Sequence, residues 1–284
     1  MRIGLYVGDQ SDVPSQIEQV RAAAEHGLAS VFFNQVQGAD PLIVAALAGA
    51  AVPGIELGTA IVQTYPRHPI SLAAQALTVA AATGNRFTLG VGPSHKQIIE
   101  GVYGLSYDRP AHHTREYLTA LRAELSGTGH VQVPGTQPPS VLLSALGPVM
   151  LRIAGELADG TVTVWATPAT IAEHIRPRLD AVAKDPRVVA AVMLSVTDRP
   201  DAVRDEVAGA LGFASEFPTY RTLLDRQGQR NVAETIVAGD EDTLAAALRA
   251  YANAGATDVL VSPAGDDTEK TRTLKLASEL ANSL

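Results

Sequence analysis

A histidine that could transfer a proton follows one of the apolar runs of this sequence. Gly92, Pro93, Ser94 and His95 come directly after the run that begins at Phe87. An unperturbed imidazole has a pKa near 6.5, so His95 could give or accept a proton at neutral pH. A lone histidine is equally often a structural residue, and the sequence leaves both interpretations open.

Polar residues and glycines follow the other apolar runs as well. They are Asn34 and Gln35, then Gln63, Thr64 and Tyr65, then Gly147 and Pro148, and finally Trp165 and Thr167. Amide side chains bind ligands through hydrogen bonds but exchange no proton at neutral pH. Tyrosine and tryptophan offer an apolar ring with a polar edge, and each is also a common packing residue. The pattern indicates a polar binding site with few acid–base groups.

Several kinds of chemistry are excluded by motifs that the sequence lacks. There is no cysteine, so disulfides, thiolate metal ligands and cysteine nucleophiles are ruled out. No HExxH motif, phosphate-binding GxxxxGK[ST] loop or GxSxG nucleophile turn occurs. The segment from Gly90 to His95 begins like a dinucleotide fingerprint but has histidine in place of its last glycine. We expect no metal site.

The elements that would position these residues read as repeated strand–helix units. Eight short apolar runs alternate with alanine-rich helical stretches, which is typical of a parallel sheet. The predicted strands are Ile3–Val7, Ser30–Phe33, Glu56–Ile61, Phe87–Val91, Val141–Ala145, Thr161–Val164, Val188–Val196 and Asp258–Val261. Eight such units predict a (β/α)8 TIM-type barrel, with an open doubly wound sheet as the alternative. In a barrel, the residues after the strands meet at one end.

Helix signals and two irregular stretches complete the predicted domain. Asp12 predicts the start of a first helix, and Thr170 with Glu173 reads as a capping box. The stretches 96–140 and 212–234 interrupt the rhythm after strands 4 and 7, where insertions would form the rim of an active site. No linker composition divides the chain, so we expect one domain over residues 1–284.

Composition limits the partners of this protein. The 284 residues carry 22 Lys and Arg against 30 Asp and Glu, a formal net charge of −8, which argues against nucleic acid as a partner. No apolar run is long enough for a membrane span. We expect a cytoplasmic protein with no membrane partner that acts on a small organic molecule.

Longer motifs carry a resemblance to a known family. They are LGTAIVQTYPRHP at 57–69, RFTLGVGPSH at 86–95, YDRPAHHTREYL at 107–118, VLLSALGPVMLRIAGELADGTVTVW at 141–165 and EDTLAAALRAYANAGATDVLVSP at 241–263. Together these segments resemble the bacterial luciferase-like superfamily, and most of all its F420-dependent oxidoreductase branch. The resemblance implies a TIM-type barrel, a homodimer, and a flavin or 5-deazaflavin at the carboxyl ends of the strands.

The resemblance also implies roles for individual residues. Ala60 and Ile61 match a strand-3 bulge, often with a non-prolyl cis peptide, behind the flavin ring. The cofactor-binding residues that it implies are Asn34, Gln35, Ala60, Ile61, Gly92, Pro93, Ser94, Ala145, Leu146, Gly147 and Pro148. His95 and Tyr65 are the implied catalytic residues. Some relatives that oxidise sugar phosphates have Asp and His where this chain has Asn34 and Gln35, which favours reduction over alcohol oxidation.

Three functions follow from this resemblance. The first is an F420-dependent oxidoreductase that transfers a hydride between the C5 of the deazaflavin and an organic substrate with an activated C=C, C=N or C=O bond. The second is an FMN-dependent luciferase-like monooxygenase. The third is a flavin-binding barrel without catalytic activity. The substrate itself is beyond what the sequence predicts.

Overall fold

The computed structural model describes residues 1–127 and 129–281. Its strands are β1 (Arg2–Val7), β2 (Ser30–Phe33), β3 (Glu56–Thr59), β4 (Val62–Gln63), β5 (Phe87–Gly92), β6 (Ser140–Ser144), β7 (Gly160–Val164), β8 (Arg187–Val196), β9 (Val237–Gly239) and β10 (Asp258–Pro263). All the strand pairings that the structure describes are parallel. The last barrel strand, β10, pairs with both β1 and β8 and so closes the sheet into a barrel.

Helices cover the outside of this barrel. They are α1 (Val13–Glu25), α2 (Pro41–Ala51), α3 (Pro69–Ala82), α4 (Lys96–Gly101), α5 (Pro110–Leu125), α6 (Pro148–Leu157), α7 (Pro168–Thr170), α8 (Arg176–Asp180), α9 (Pro200–Leu211), α10 (Pro218–Gln227), α11 (Glu241–Asn253) and α12 (Asp267–Ala281). Asp12 caps α1 as predicted: its carboxylate accepts a hydrogen bond from the N–H of Ser15.

The predicted TIM-type barrel is confirmed, with several local corrections. The strand predicted over Glu56–Ile61 ends at Thr59, and a separate strand β4 follows. Strand β9, which pairs with the end of β8, was not predicted. The predicted capping box at Thr170 is wrong, because Thr167 is the N-cap and accepts from the N–H of Thr170. Residues Ile171–Ile175 then form a π-helical segment between α7 and α8.

Both predicted insertions lie after barrel strands. The first contains α4 and α5, and α5 begins at Pro110 because proline suits the first position of a helix. The second contains α10 between two 3-10 segments, Gly212–Glu216 and Val232–Thr235. Sequence analysis had treated this second stretch as irregular.

The core of the protein has two layers. Most buried apolar side chains lie between the strands and the surrounding helices. A second cluster fills the inside of the barrel and consists of Phe32, Leu142, Val162, Val189, Ala191 and Leu260. Tyr6, Ala60, Ile61 and Val164 pack on this cluster and are only partly buried. The barrel is therefore a packed core, like other TIM-type barrels.

Charged side chains lie together at the end of the barrel where the strands begin. The guanidinium of Arg187 lies 2.8 Å from Asp258 and 3.2 Å from Glu56, and it donates a 3.1 Å hydrogen bond to Thr88. Each of these residues lies at or next to the start of a strand. Asp258 is 2% exposed, so its charge is balanced inside the protein.

Candidate functional site

The carboxyl end of strand β3 has an unusual backbone. The peptide bond between Ala60 and Ile61 is cis, at the position where the resemblance implied a bulge. A Cβ added at Gly90 would lie 1.9 Å from the carbonyl oxygen of Thr59, and one at Gly92 would lie 3.2 Å from Cδ1 of Ile61. Gly90 is therefore required by the packing of the neighbouring strand, whatever ligand binds, whereas a side chain at Gly92 would need its neighbours to move by a few tenths of an ångström.

His95 lies just beyond β5, where it is the N-cap residue of α4. Its ring centroid is 4.6 Å from that of Phe217 and 4.7 Å from that of Tyr220. Burial lowers the pKa of His95 to about 4. The imidazole is therefore neutral at pH 7, and it can donate one N–H hydrogen bond and accept another.

The second insertion supplies aromatic residues to this end of the barrel. Tyr220 of α10 contacts Trp165 edge to face at 4.5 Å between ring centroids. Trp165 has a φ of 59°, a left-handed conformation that is rare for a bulky residue. The side chain of Gln227 donates to the carbonyl of Trp165 at 3.1 Å and accepts from the N–H of Thr167 at 2.8 Å. These bonds fix α10 to the loop that follows β7.

Tyr65 lies beyond the end of β4, against the first insertion. Its hydroxyl donates a 3.2 Å hydrogen bond to the carbonyl of Asp108, and its ring stacks on His113 at 3.8 Å. Burial and the nearby Asp108 raise its pKa. The neighbouring Tyr107 donates to the carbonyl of Ser94 at 2.9 Å. In this structure these tyrosines join the first insertion to the ends of β4 and β5.

Asn34 and Gln35 belong to a hydrogen-bonded loop after β2. The Asn34 carbonyl oxygen accepts from the N–H of Asp9 at 2.8 Å, and Gln35 accepts from Arg67 at 3.2 Å. The Asp9 carboxylate in turn accepts from the N–H groups of residues 36–38 at 2.6 to 2.8 Å. Burial favours a higher pKa for Asp9, but these hydrogen bonds outweigh it and lower the pKa overall.

Gln63 is a candidate ligand-binding residue that the predicted set did not include. It is 3% exposed, and its side-chain carbonyl oxygen has no hydrogen-bond partner among the described residues. Its side-chain nitrogen makes a long 3.5 Å bond to the backbone carbonyl of Gln35. A buried polar atom without a partner costs free energy, so it is a natural contact for a bound polar group.

The segment after β6 leads into helix α6 without a side-chain cap. Gly147 is the N-cap, and a Cβ placed there would meet nothing within 4 Å. Ala145 and Leu146 precede it, and Pro148 begins the helix. Uncapped N–H groups at a helix start suit an anion. This end of the sheet is open where the resemblance implied a cofactor tail.

His174 supports this segment from the π-helical turn. Its Nε2–H donates to the carbonyl of Leu146 at 2.8 Å, while its Nδ1 has no partner among the described residues. Burial lowers its pKa, so Nδ1 is an unprotonated acceptor at pH 7. The sequence does not indicate this role of His174, because no local pattern links His174 to Leu146, 28 residues earlier in the chain.

The structure brings several of these residues to one end of the barrel. Gln63 ends β4, and His95 and Gly147 follow the neighbouring strands β5 and β6. Tyr65 also follows β4 and packs on Tyr107, which donates to the carbonyl of Ser94. Tyr220 and Gln227 were missed, although the apolar spacing of Tyr220, Leu223 and Leu224 is helical and could have predicted α10.

Two further features bear on function. Within residues 1–127 and 129–281, no cluster of three or more metal-ligating side chains is present. In the same part of the chain, every helix is too short or too polar to cross a membrane.

Comparisons with known proteins identify similar chains. The family model for luciferase-like monooxygenases matches residues 1–258. A Mycobacterium tuberculosis protein provisionally named a coenzyme F420-dependent oxidoreductase is 30% identical over 196 residues, which are 59% of this chain and 56% of that protein. The 5,10-methylenetetrahydromethanopterin reductase of Methanopyrus kandleri is 26% identical over 289 residues, covering 80% of this chain and 82% of the reductase.

A similar fold occurs among solved structures. An F420-dependent secondary alcohol dehydrogenase, solved with an F420–acetone adduct, superposes with a TM-score of 0.82 at 17% identity. The superposition covers 98% of this chain and 97% of the dehydrogenase. At that identity the likeness concerns the fold alone.

Proposed function

We propose that this chain, which belongs to the luciferase-like monooxygenase family, is a coenzyme F420-dependent oxidoreductase. The observation that carries the proposal is the placement of Gln63, His95 and Gly147 on neighbouring strand ends. This end of the barrel holds the Gln63 oxygen, which has no partner among the described residues, the neutral imidazole of His95 and the uncapped start of α6. These groups suit a cofactor with a polar ring and an anionic tail. The sequence similarity to the Mycobacterium tuberculosis protein that is provisionally named a coenzyme F420-dependent oxidoreductase supports the choice of cofactor.

Residues of this chain would hold the cofactor as follows. The backbone of Gly147 and Pro148 at the start of α6 suits the anionic tail, and Leu146 is held in place by His174. Asn34, Gln35 and Gln63 offer amide groups to the ring, beside Ala60 and Ile61. Pro93, Ser94 and Ala145 complete the backbone around it. When bound, coenzyme F420 would give a hydride to the substrate or take one from it.

His95 would act on the substrate in this reaction. Reduction of a C=O, C=N or activated C=C bond places negative charge on the acceptor. A neutral imidazole can donate its N–H to that charge as a hydrogen bond without first gaining a proton. It can pass that proton to the product while water gives a proton to its second ring nitrogen, which leaves the imidazole neutral. Because Tyr65 bonds to Asp108 on the rim, we assign the larger role to His95.

Titration of the purified protein with F420 and, separately, with FMN tests the proposal. We expect the protein to bind F420, but not FMN, with a micromolar dissociation constant, measured from the quenching of cofactor fluorescence. Gly147→Val should weaken that binding because its side chain enters the open space at the start of α6. Gly209→Ala, an open position inside α9, is the matched control. Preference for FMN with oxygen uptake would identify a monooxygenase, and binding without hydride transfer a non-catalytic barrel.

A homodimer is the proposed assembly. Helices α2 and α3 contain no charged residue, and they expose Ile43 (62%), Leu47 (49%) and Ile70 (38%). A second copy of the chain is a suitable cover for such a face, because it carries the same uncharged surface. Light scattering after size exclusion should give twice the chain mass, and Leu47→Glu should give a single chain. An unchanged mass for Leu47→Glu would place the contact elsewhere.

A further inference from the structure

Four rings form a continuous cluster over the mouth of the barrel. Phe217 and Tyr220 both contact His95, and Tyr220 also contacts Trp165. The centroid distances of these three contacts are 4.6, 4.7 and 4.5 Å, within the range of favourable aromatic pairs. A molecule that reaches the imidazole of His95 from this side must therefore touch Phe217 and Tyr220.

Helix α10 is oriented so that its apolar face belongs to this cluster. Leu223 and Leu224 are buried on the same side as Tyr220. The charged side chains of the helix interact with other groups: Arg221 binds Asp225 at 3.0 Å and donates to the carbonyl of Arg230 at 2.8 Å, and the charge of Arg226 acts on His174. The helix consequently presents rings, not charges, to His95.

The cluster is held rigidly by backbone and amide contacts. Gln227 joins the end of α10 to Trp165 and Thr167, and it also accepts from the hydroxyl of Thr170 at 2.9 Å. Ser215, in the 3-10 segment before α10, accepts from the N–H of Val232 at 3.0 Å. Rings fixed in this way can select a ligand by shape, because little side-chain entropy is lost when the ligand binds.

The cluster contains no charge at neutral pH. Burial lowers the pKa of His95 to about 4 and raises the pKa of Tyr220. Among the described residues, no lysine, arginine, aspartate or glutamate has a hydrogen bond, ion pair or ring contact with these four rings. Lys96, next to His95 in the chain, pairs with Glu100 at 3.8 Å. A charged ligand would lose its hydration here without gaining a partner.

We infer that the aromatic cluster of Trp165, Phe217, Tyr220 and His95 selects uncharged substrates that carry a ring or a bulky apolar group near the reacting bond. The inference rests on the proposed function, for which it defines the substrate class. It gives α10 the role of distinguishing one substrate from another. Flat apolar faces would pack against the exposed faces and edges of the rings, while carboxylates and phosphates close to the reacting bond would be rejected.

Binding of two matched ketones tests this inference without any cofactor. The probes are 4-phenylbutan-2-one and its para-carboxylate, which differ by one negative charge. Calorimetry gives the affinities, and the emission of Trp165, the single tryptophan of the sequence, reports binding at the cluster. We expect the neutral ketone to bind at least tenfold more tightly than the carboxylate, with a change in Trp165 emission.

Variants then assign the selectivity to the cluster. Phe217→Ala should lower the affinity for the neutral ketone about tenfold, which corresponds to ~1.4 kcal/mol of binding free energy. Phe213→Ala removes a ring that is 64% exposed and lies 6.1 Å from the ring of Phe217, so it should change both affinities much less than Phe217→Ala does. Tyr220→Phe keeps the ring and should keep the selectivity, and it serves as the folded reference if Phe217→Ala is unstable.

Three outcomes would overturn the inference: equal binding of the two ketones, binding of neither, or equal effects of Phe213→Ala and Phe217→Ala. Failure of the proposed function appears separately. Selective ketone binding in a protein that does not bind F420 would reject F420 dependence and keep the aromatic cluster as a binding site. Turnover of F420 with neutral and charged acceptors alike would keep the proposed function and reject the substrate class.

Discussion

The two ends of the barrel treat their polar groups in opposite ways. Where the strands begin, the charge of Arg187 is balanced by Asp258 and Glu56 inside the protein. Where the strands end, the Gln63 oxygen and the His174 Nδ1 are buried without partners among the described residues. At the first end the chain pairs its buried charges, although the Ser30 hydroxyl lacks a partner in the described part of the chain. The second end leaves an amide oxygen and an imidazole nitrogen available for a ligand. The comparison separates residues that maintain the fold from residues that can bind.

The largest expected effect is at the end where the strands finish. His95→Asn should lower kcat for F420-dependent reduction by about 10² to 10⁴, because it removes the imidazole that serves the acceptor. The dissociation constant for F420 and the urea midpoint should change little. Steady-state kinetics with reduced F420 measure kcat, and an unchanged kcat would remove His95 from the reaction.

The opposite end should respond in stability instead. Arg187→Met leaves the buried carboxylate of Asp258 with a much weaker partner, which should lower the free energy of unfolding by about 3 kcal/mol. Urea denaturation measures this change. Arg21→Met, which breaks the exposed pair with Glu18, is the control and should cost less than about 1 kcal/mol. Similar losses for both variants would contradict the comparison.

The pH dependence of stability should come mainly from the ligand-binding end. The pKa values of His95, His113 and His174 are all lowered by burial, so the unfolded chain binds more protons than the folded one as the pH falls below about 6.5. Stability is therefore full above that pH and declines toward pH 4. His95 alone should account for up to about 2 kcal/mol between pH 6.5 and 5. A wild-type midpoint that stays constant over this range would exclude the effect.

The smallest effect should come from Gln63. Gln63→Leu removes a buried oxygen that has no partner in the described part of the chain, so the free energy of unfolding should stay the same or rise by about 1 kcal/mol. Affinity for F420 should fall, because the amide is no longer available to the ring. Parallel urea and fluorescence titrations separate the two effects. A loss of stability with full affinity would show that Gln63 is structural.

Much of the fold could be predicted because each strand–helix unit carries its own signals. Apolar runs located the eight barrel strands, and Asp12 located the start of α1. The three-residue strand β9 was missed because so short a run has no readable period. The capping box at Thr170 was misread because Thr167, three residues earlier, takes the cap in the folded chain.

The site was harder to predict because its decisive contacts join distant segments. Local position after a strand was enough to suggest His95 and Gly147. The contact of Gln227 with Trp165 spans 62 residues, and no local pattern indicates it. Tyr65 was placed in the site because it follows strand 3, and its hydroxyl donates to the carbonyl of Asp108 in the folded chain. Its catalytic role stays a prediction. Sequence position gives the strand end, and tertiary contacts decide which side chains remain available.

The closure of the barrel has a consequence for how the chain folds during synthesis. Strand β10 pairs Asp258 with Arg2 on one side and with Val189 on the other. Until β10 has left the ribosome, β1 and β8 both expose unpaired backbone edges, and Arg187 has no Asp258 beside it. Contacts so distant in sequence form slowly. A nascent chain that stalls before this strand would be a target for chaperones and proteases, and completion of the ring would end that vulnerability.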